Sequence, residues 1–371
     1  MKKHILLYDA IEFGHHKNYV IFFAKNLVSL QCRVSIIFPN AEKLKNEFNE
    51  DEINHLQFFD HHKFDLKKSL RFKIWQNWQE LKYNFKRVHE NVDLMFIMWF
   101  DDFKFNTDHP LILKTFLHYF NWTFKSPWFG INVHQVHFRK PTTKHEIWSK
   151  ELITRHKFCK GVGVFDEGIV HQYQKNVKRP IYVFPDVTKT DLKNESNLEI
   201  NNKIVLAGVG DRRKGILRFI RASELSENTN WHFSIVGKIN WKEFTDTEIQ
   251  ELQNALNTKN VSSTGFIENE AEMNDEIASA DFVFAAYEDF PHSSNILTKA
   301  AAFKKFVLVN KGFLMAERAT KYQLGLVLEN DSILDLNLLH SKTSDLNPQF
   351  DLYCKTHSMN QLRSVLAEII E

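Results

Sequence analysis

Short runs of β-branched and aromatic residues alternate with stretches of helical period along almost the whole chain. Short apolar runs bounded by polar loops predict strands buried on both faces, and apolar positions recurring at three- and four-residue spacing predict amphipathic helices. In the first half, strands are predicted at His4–Tyr8, Arg33–Phe38, Val92–Trp99, Gly130–His134, Gly161–Phe165 and Pro180–Phe184. Helices are clearest at Lys17–Leu30, Leu66–Glu90 and Trp148–Phe158. The polar segment Asp186–Asn202 has no sustained apolar period and reads as a linker. A second series starts after it, with strands predicted at Ile204–Ala207, His232–Val236, Val261–Phe266, Phe282–Tyr287, Phe306–Asn310 and Gly325–Leu328. Its predicted helices are Gly215–Leu225, Thr247–Leu256, Ala271–Ala280, Ser294–Phe303 and Leu314–Tyr322. A last helix, Met359–Ile370, follows a looser stretch containing Pro348.

Strand–helix alternation of this kind is the pattern of parallel sheets covered by helices, so the expectation is an α/β protein of two Rossmann-like units in tandem. A length of 371 residues agrees, because single cores stop growing beyond about 250–300 residues. The expected divisions are a first unit over residues 1–185, a linker over 186–202 and a second unit over 203–345. A C-terminal segment over 346–371 is expected to pack back on the first unit.

Composition adds less than its distribution does. With 25% charged and 43% hydrophobic residues the chain is an ordinary globular one, which excludes disordered, collagenous and coiled-coil classes. The net charge of +2 gives no support to a dedicated nucleic-acid binder. That total hides an asymmetry: residues 1–190 carry 29 Lys and Arg against 20 Asp and Glu, whereas residues 191–371 carry 19 against 26. The three cysteines, Cys32, Cys159 and Cys354, form neither a zinc spacing nor a disulfide framework, which fits a reducing compartment. The opening apolar run is broken by Asp9 and Glu12 and makes a poor signal peptide. A cytoplasmic location, at most at the inner face of a membrane, is expected.

In open α/β sheets ligands bind where strand ends meet helix starts. The second half opens with IVLAGVGDRRKGILRFIRA, a strand, a glycine-containing loop and three cations, Arg212, Arg213 and Lys214, ahead of a helix. Cations at a helix N-terminus oppose the macrodipole, so an anion among them would relieve the conflict. At roughly 4 Å and an effective dielectric near 20, each unit-charge pair is worth about 4 kcal/mol before desolvation. The competing reading is a solvated basic turn. Farther on, Ser293, Ser294 and Asn295 precede another apolar helix. They suit capping, which is compatible with holding a phosphate in the same crevice.

The second half resembles the donor domain of the GT-B glycosyltransferases, in particular the retaining family-4 enzymes (glycosyl transferases group 1). The likeness rests on GVGDRRKG, FSIVGK, VSSTGFIENEAEM, ASADFVFAAYEDFP, HSSNILTKAAAFKKFVLVN and LMAERATKYQLGLVLEND, in that order, over about Lys203–Asn330. It implies two Rossmann-like domains facing a central cleft and a metal-independent hexosyltransferase with no cofactor. The substrates implied are a nucleotide sugar donor and a glycan or lipid-linked acceptor in polysaccharide synthesis. By position, Lys214 matches the lysine that holds the donor diphosphate, Arg213 is a looser match for the arginine, and Gly210 lies in the glycine loop. Glu288 resembles the first glutamate of the family's paired-glutamate motif. Lys299 stands where the second would, eleven residues on instead of eight.

The first half resembles the acceptor domain more weakly, through EFGHHKNYVIFFAKNLVSLQCRVSIIF. There Gly14 would let the backbone approach the donor, and His15 and His16 stand at the mouth of the crevice. In FGINVHQVHFR, His134 matches a functional histidine near the transferred sugar, with His137 in reserve. The resemblance therefore implies His134, Glu288 and Lys214 as catalytic, and Gly14, His15, Gly210, Arg213, Lys214, Ser293, Ser294 and Asn295 as donor-binding. A catalytically degenerate binding subunit and a nucleotide-sugar epimerase remain as alternatives. Asp101–Asp102 has the wrong spacing for a metal-binding pair, and His61–His62 lacks further ligands at helical spacing for zinc. No phosphate-loop or dinucleotide fingerprint occurs. The aromatic and cationic residues between Phe58 and Phe129 suit core packing with a basic face. The sharper reading of them is contact with an anionic membrane.

Overall fold

Two parallel sheets organise the chain. The computed structural model describes residues 2–371 except 13–15, 65–72, 89–90, 105–108, 135, 141, 189–200, 227–229, 331 and 333. The chain divides into two units, Met1–Pro185 with Met359–Glu371, and Asp186–Ser358.

The first sheet has seven strands: β1 His4–Tyr8, β2 Arg33–Phe38, β3 Leu56–Asp60, β4 Leu94–Ile97, β5 Trp128–Asn132, β6 Cys159–Val164 and β7 Ile181–Val183. They run parallel in the order β3-β2-β1-β4-β5-β6-β7. Every residue of β1, β4 and β5 is buried. Helices cover both faces of such a sheet, which is why these strands are continuous apolar runs rather than alternating ones. The second sheet has six: β8 Lys203–Ala207, β9 His232–Val236, β10 Val261–Ser263, β11 Phe282–Ala285, β12 Phe306–Asn310 and β13 Gly325–Leu328. Its order is β10-β9-β8-β11-β12-β13, again parallel. In each sheet the order reverses once, between β1 and β4 and between β8 and β11. Those switch points are where the loops at the carboxyl ends diverge and leave room for a ligand.

Several elements differ from the sequence expectation. Strand β3 was not foreseen, because its partly exposed edge position gives LQFFD no continuous apolar run. The helix Pro110–Thr123 was also missed: only Leu113 and Phe120 on it are buried, so apolar residues all round it obscure the period. The expected Leu66–Glu90 helix is seen as Lys73–Lys86, its remaining ends lying partly outside the described residues. In place of Trp148–Phe158 stands the helix Lys144–Glu151, where the Thr143 hydroxyl accepts from the Glu146 amide at 3.2 Å, followed by the tight turn Leu152–Arg155. Of the expected linker, residues 189–200 lie outside the described residues, and Asp186 is buried within the second unit. The segment 346–371 is divided: residues up to Ser358 belong to the second unit, and the helix Met359–Ile370 packs against His16–Ser29 in the first.

Candidate functional site

In the second unit the loop after β8 carries the cations. Gly208 has φ +92°, and a Cβ there would lie 2.3 Å from Lys214 Nζ. Only glycine leaves that ammonium room to lie across the strand end, where it donates to the Ala207 carbonyl at 2.6 Å. Asp211 shapes the next turn: its carboxylate accepts from the Lys214 amide at 2.8 Å and from the Arg213 guanidinium at 3.2 Å. Arg213 is partly exposed, with its guanidinium 4.9 Å from the Phe290 ring centroid and 5.4 Å from that of Tyr287. Aromatic faces favour a cation in such positions. Arg212 turns to Glu248 instead and lies over Phe244. The three expected cations are thus two plus one: Arg213, paired with Asp211, and Lys214 share Tyr287, while Arg212 pairs with Glu248 away from them. Gly210 pairs with Ile239, its amide donating to the Lys238 carbonyl at 2.9 Å, and so fixes the loop.

The loop after β11 is joined to this one. The Glu288 amide donates to the Arg213 carbonyl at 2.7 Å, and Gly215, at φ +71°, lies so near the Ala286 carbonyl that a Cβ would stand 2.8 Å from it. Glu288 is exposed beside the cations. Ser293 is engaged differently from a simple cap: its hydroxyl donates to the buried Asp186 carboxylate and accepts from the Arg318 guanidinium at 2.6 Å. That leaves the Ser293 backbone, rather than its hydroxyl, for a ligand. Ser294 and Asn295 are half-buried at the start of the helix Ile296–Ala302, and no side chain caps it. Lys299 is buried and pairs with Glu270 at 2.7 Å, so the residue in the second-glutamate position is part of the helix packing.

In the first unit, Gly14 and His15 lie outside the described residues. Their neighbour His16 is well placed: Nδ1 is 2.8 Å from the Asp9 carboxylate at the end of β1. Burial pushes the Asp9 carboxyl above its ordinary range, and the His16 imidazole partly offsets this. The His16 ring lies 4.4 Å from Trp99, which follows β4, and Trp99 meets His134 edge-on at 4.8 Å. His134, after β5, is held through its backbone: the Asp101 carboxylate accepts from the amides of Val133 at 2.7 Å and His134 at 3.2 Å. Partial desolvation keeps the His134 imidazole below its ordinary pKa although the residue is exposed, with Asp101 acting against that. Asp9, His16, Trp99 and His134 therefore line the carboxyl ends of β1, β4 and β5. Asp9 and Trp99 had no signal in the sequence, since only the fold brings Asp9 onto His16 at the start of the next helix and Trp99 between His16 and His134. Asp101 serves as the anchor of the histidine loop.

His137 has a structural place. Its Nε2 is 2.9 Å from Glu151, a fully buried carboxylate that also accepts from Tyr173 at 2.7 Å and pairs with Lys104 at 3.1 Å. Burial alone would raise the Glu151 pKa, but Lys104, His137 and Tyr173 together bring it from 4.5 down to about 2. A carboxylate whose pKa is lower folded than unfolded contributes stability above its unfolded pKa, and this is lost as pH falls through the folded value. The denaturant midpoint should therefore decline from about pH 5 towards pH 2, and less steeply in Glu151→Gln, as pH-dependent unfolding curves will show.

Residues 173–341 match the family model "Glycosyl transferases group 1". No curated protein sequence is a significant match. Solved structures resemble the whole chain. A glycosyltransferase from Rickettsia africae is 15% identical, with a TM-score of 0.66, 99% of this chain covered and 97% of that one. The Anabaena protein HepE, in complex with UDP, is 14% identical, with a TM-score of 0.65 over 100% and 99% of the two chains. The lipopolysaccharide outer core galactosyltransferase WaaB is 14% identical, with a TM-score of 0.63 over 100% and 99%.

Proposed function

We propose that this chain, which has the GT-B fold and carries the glycosyl transferases group 1 domain, moves a sugar from a nucleotide diphosphate sugar to a glycan or lipid-linked acceptor. The finer reading is transfer with retention at the anomeric carbon, in synthesis of a cell-surface polysaccharide, at the inner face of a membrane. HepE in complex with UDP, and WaaB as a lipopolysaccharide galactosyltransferase, support the donor class and the setting.

The observation that carries this reading is the pair Arg213 and Lys214 at the β8–β11 switch point, backed by Tyr287 and clasped to the Glu288 loop. As the bond between the sugar and the diphosphate breaks, negative charge grows on the departing diphosphate. Two preorganised cations stabilise it there without solvent reorganisation. Glu288 would accept hydroxyls of the donor, with Ser294 and Asn295 at the neighbouring helix start. In the first unit His134, whose imidazole pKa is lowered by partial desolvation, would orient the transferred sugar through hydrogen bonds. His16, oriented by Asp9, is a further polar group for sugar hydroxyls on the same sheet edge.

Donor turnover by a panel of nucleotide sugars, with glycan and lipid-linked acceptors, tests the reading. One donor should be consumed, and His134→Ala should slow its turnover about 10²-fold or more while nucleoside diphosphate affinity stays the same. Undiminished turnover in that variant removes His134 from the site. Consumption of no donor rejects the function.

A further inference from the structure

The most exposed large apolar residues of the first unit gather on one short stretch of chain. On the helix Pro110–Thr123, Leu111, Thr115, His118 and Trp122 follow one another at spacings of four, three and four, so they share one face. All four are exposed, Leu111 by 70% and Trp122 by 71%, while Leu113 and Phe120 on the opposite face are buried. Ile112 beside them is 56% exposed. The patch continues onto the helix Lys73–Lys86 through the partly exposed Trp75, whose ring lies 5.1 Å from Tyr119 and 5.9 Å from Phe116. Burying nothing with such residues is costly in water, and a grouping of this kind marks a surface that meets something apolar.

Charge decides what that is. The Pro110–Thr123 helix has no acidic residue; Lys114 is exposed on it, and Lys125 is exposed just past its C-terminal end. Across the ridge, Lys82 lies 5.6 Å from the Tyr119 ring centroid, with Lys86 exposed a turn farther on. The one carboxylate of the Lys73–Lys86 helix, Glu80, is buried, and Asp102 nearby is already paired with Lys73 at 3.7 Å. Tryptophan, leucine and isoleucine ringed by lysines, with Asp102 the one partly exposed acid noted beside them among the described residues and that one paired, match the interface of an anionic bilayer. No helix of the described residues is long and apolar enough to cross a membrane. We propose that this face, centred on Leu111, Ile112 and Trp122, docks the protein on anionic membrane surfaces, its apolar side chains entering the headgroup region and its lysines meeting the lipid phosphates. This deepens the lipid-linked part of the function proposed above, but its test needs neither donor nor turnover.

Co-sedimentation with phosphatidylcholine vesicles, with and without phosphatidylglycerol, tests it directly. The full-length protein should bind the anionic vesicles alone, and less at high salt. Leu111→Ser with Trp122→Ser, and separately Lys114→Glu with Lys125→Glu, should each weaken binding about tenfold or more. Because these side chains are exposed, the unfolding midpoint should hold in both variants. Failure of the wild-type protein to sediment with anionic vesicles overturns the proposal, as does equal binding by either variant. So does a concentration-dependent dimer that the apolar variant abolishes while vesicles are ignored, since the face would then join two copies of the chain. Nucleoside diphosphate affinity, measured on the same samples, should be the same in all. Its absence throughout would count against the proposed function and leave the docking result standing.

Discussion

Arg318→Ala should be among the most destabilising single substitutions in the second unit. Arg318 is 1% exposed on the helix Leu314–Lys321, and its guanidinium donates to Ser293 and lies 3.6 Å from the Asp186 carboxylate. Asp186 is itself buried and tied into the unit: its amide donates to His357 at 2.9 Å and its carbonyl accepts from Thr298 at 2.9 Å. Removing the guanidinium leaves a buried carboxylate without its cation, a loss of about 3–5 kcal/mol. In a unit of this size that corresponds to a fall in unfolding midpoint of roughly 6–20 °C. Ser293→Ala, which removes one hydroxyl between the two charges, should cost less, about 1.5–3 kcal/mol. Calorimetric scans of the three proteins separate these values. A midpoint for Arg318→Ala within a degree or two of wild type would mean that the ion pair contributes nothing, as many exposed pairs do.

The double variant Arg213→Ala with Lys214→Ala should lose donor turnover roughly a thousandfold, with Arg213→Ala alone losing less. The two side chains differ in surroundings. Arg213 is 44% exposed and held by Asp211 and two aromatic faces, so its removal should leave stability within about 0.5 kcal/mol of wild type. Lys214 also caps the end of β8 through the Ala207 carbonyl, and its removal should have a small cost in stability besides the large one in turnover. Arg212→Ala is the internal comparison. Its charge is already met by Glu248, and it should turn over donor nearly as wild type does. Equal losses in Arg212→Ala and Arg213→Ala would indicate a diffuse basic surface rather than a placed pair.

The second unit was the more legible of the two. Strands β9 and β12 coincide with the runs read from the sequence, because buried parallel strands are continuous apolar segments with polar ends, and the edge strand β13 coincides as well. In the first unit, the helix Met359–Ile370 likewise matches its amphipathic period. What local pattern could not supply was partnership. Asp9 counted in the sequence only as a break in an apolar run, yet it orients His16 seven residues on. Ser293 had the residue type of a helix cap, yet its hydroxyl joins Asp186 and Arg318, which come from distant parts of the chain. The run Arg212–Lys214 looked uniform and is split by which carboxylates approach it, Glu248 on one side and Asp211 on the other. Lys299 stood out as a departure from a motif, and Glu270 shows what the departure accommodates.

The central claim is that the loops after β8 and β11 form a diphosphate site. Titration of wild-type protein with a panel of nucleoside diphosphates, followed calorimetrically, tests it most directly. One nucleoside diphosphate should bind, the corresponding monophosphate should bind more weakly, and the Arg213→Ala, Lys214→Ala variant should lose the heat of binding while remaining folded. Binding of no nucleotide by the wild-type protein, or undiminished binding by the variant, would contradict it.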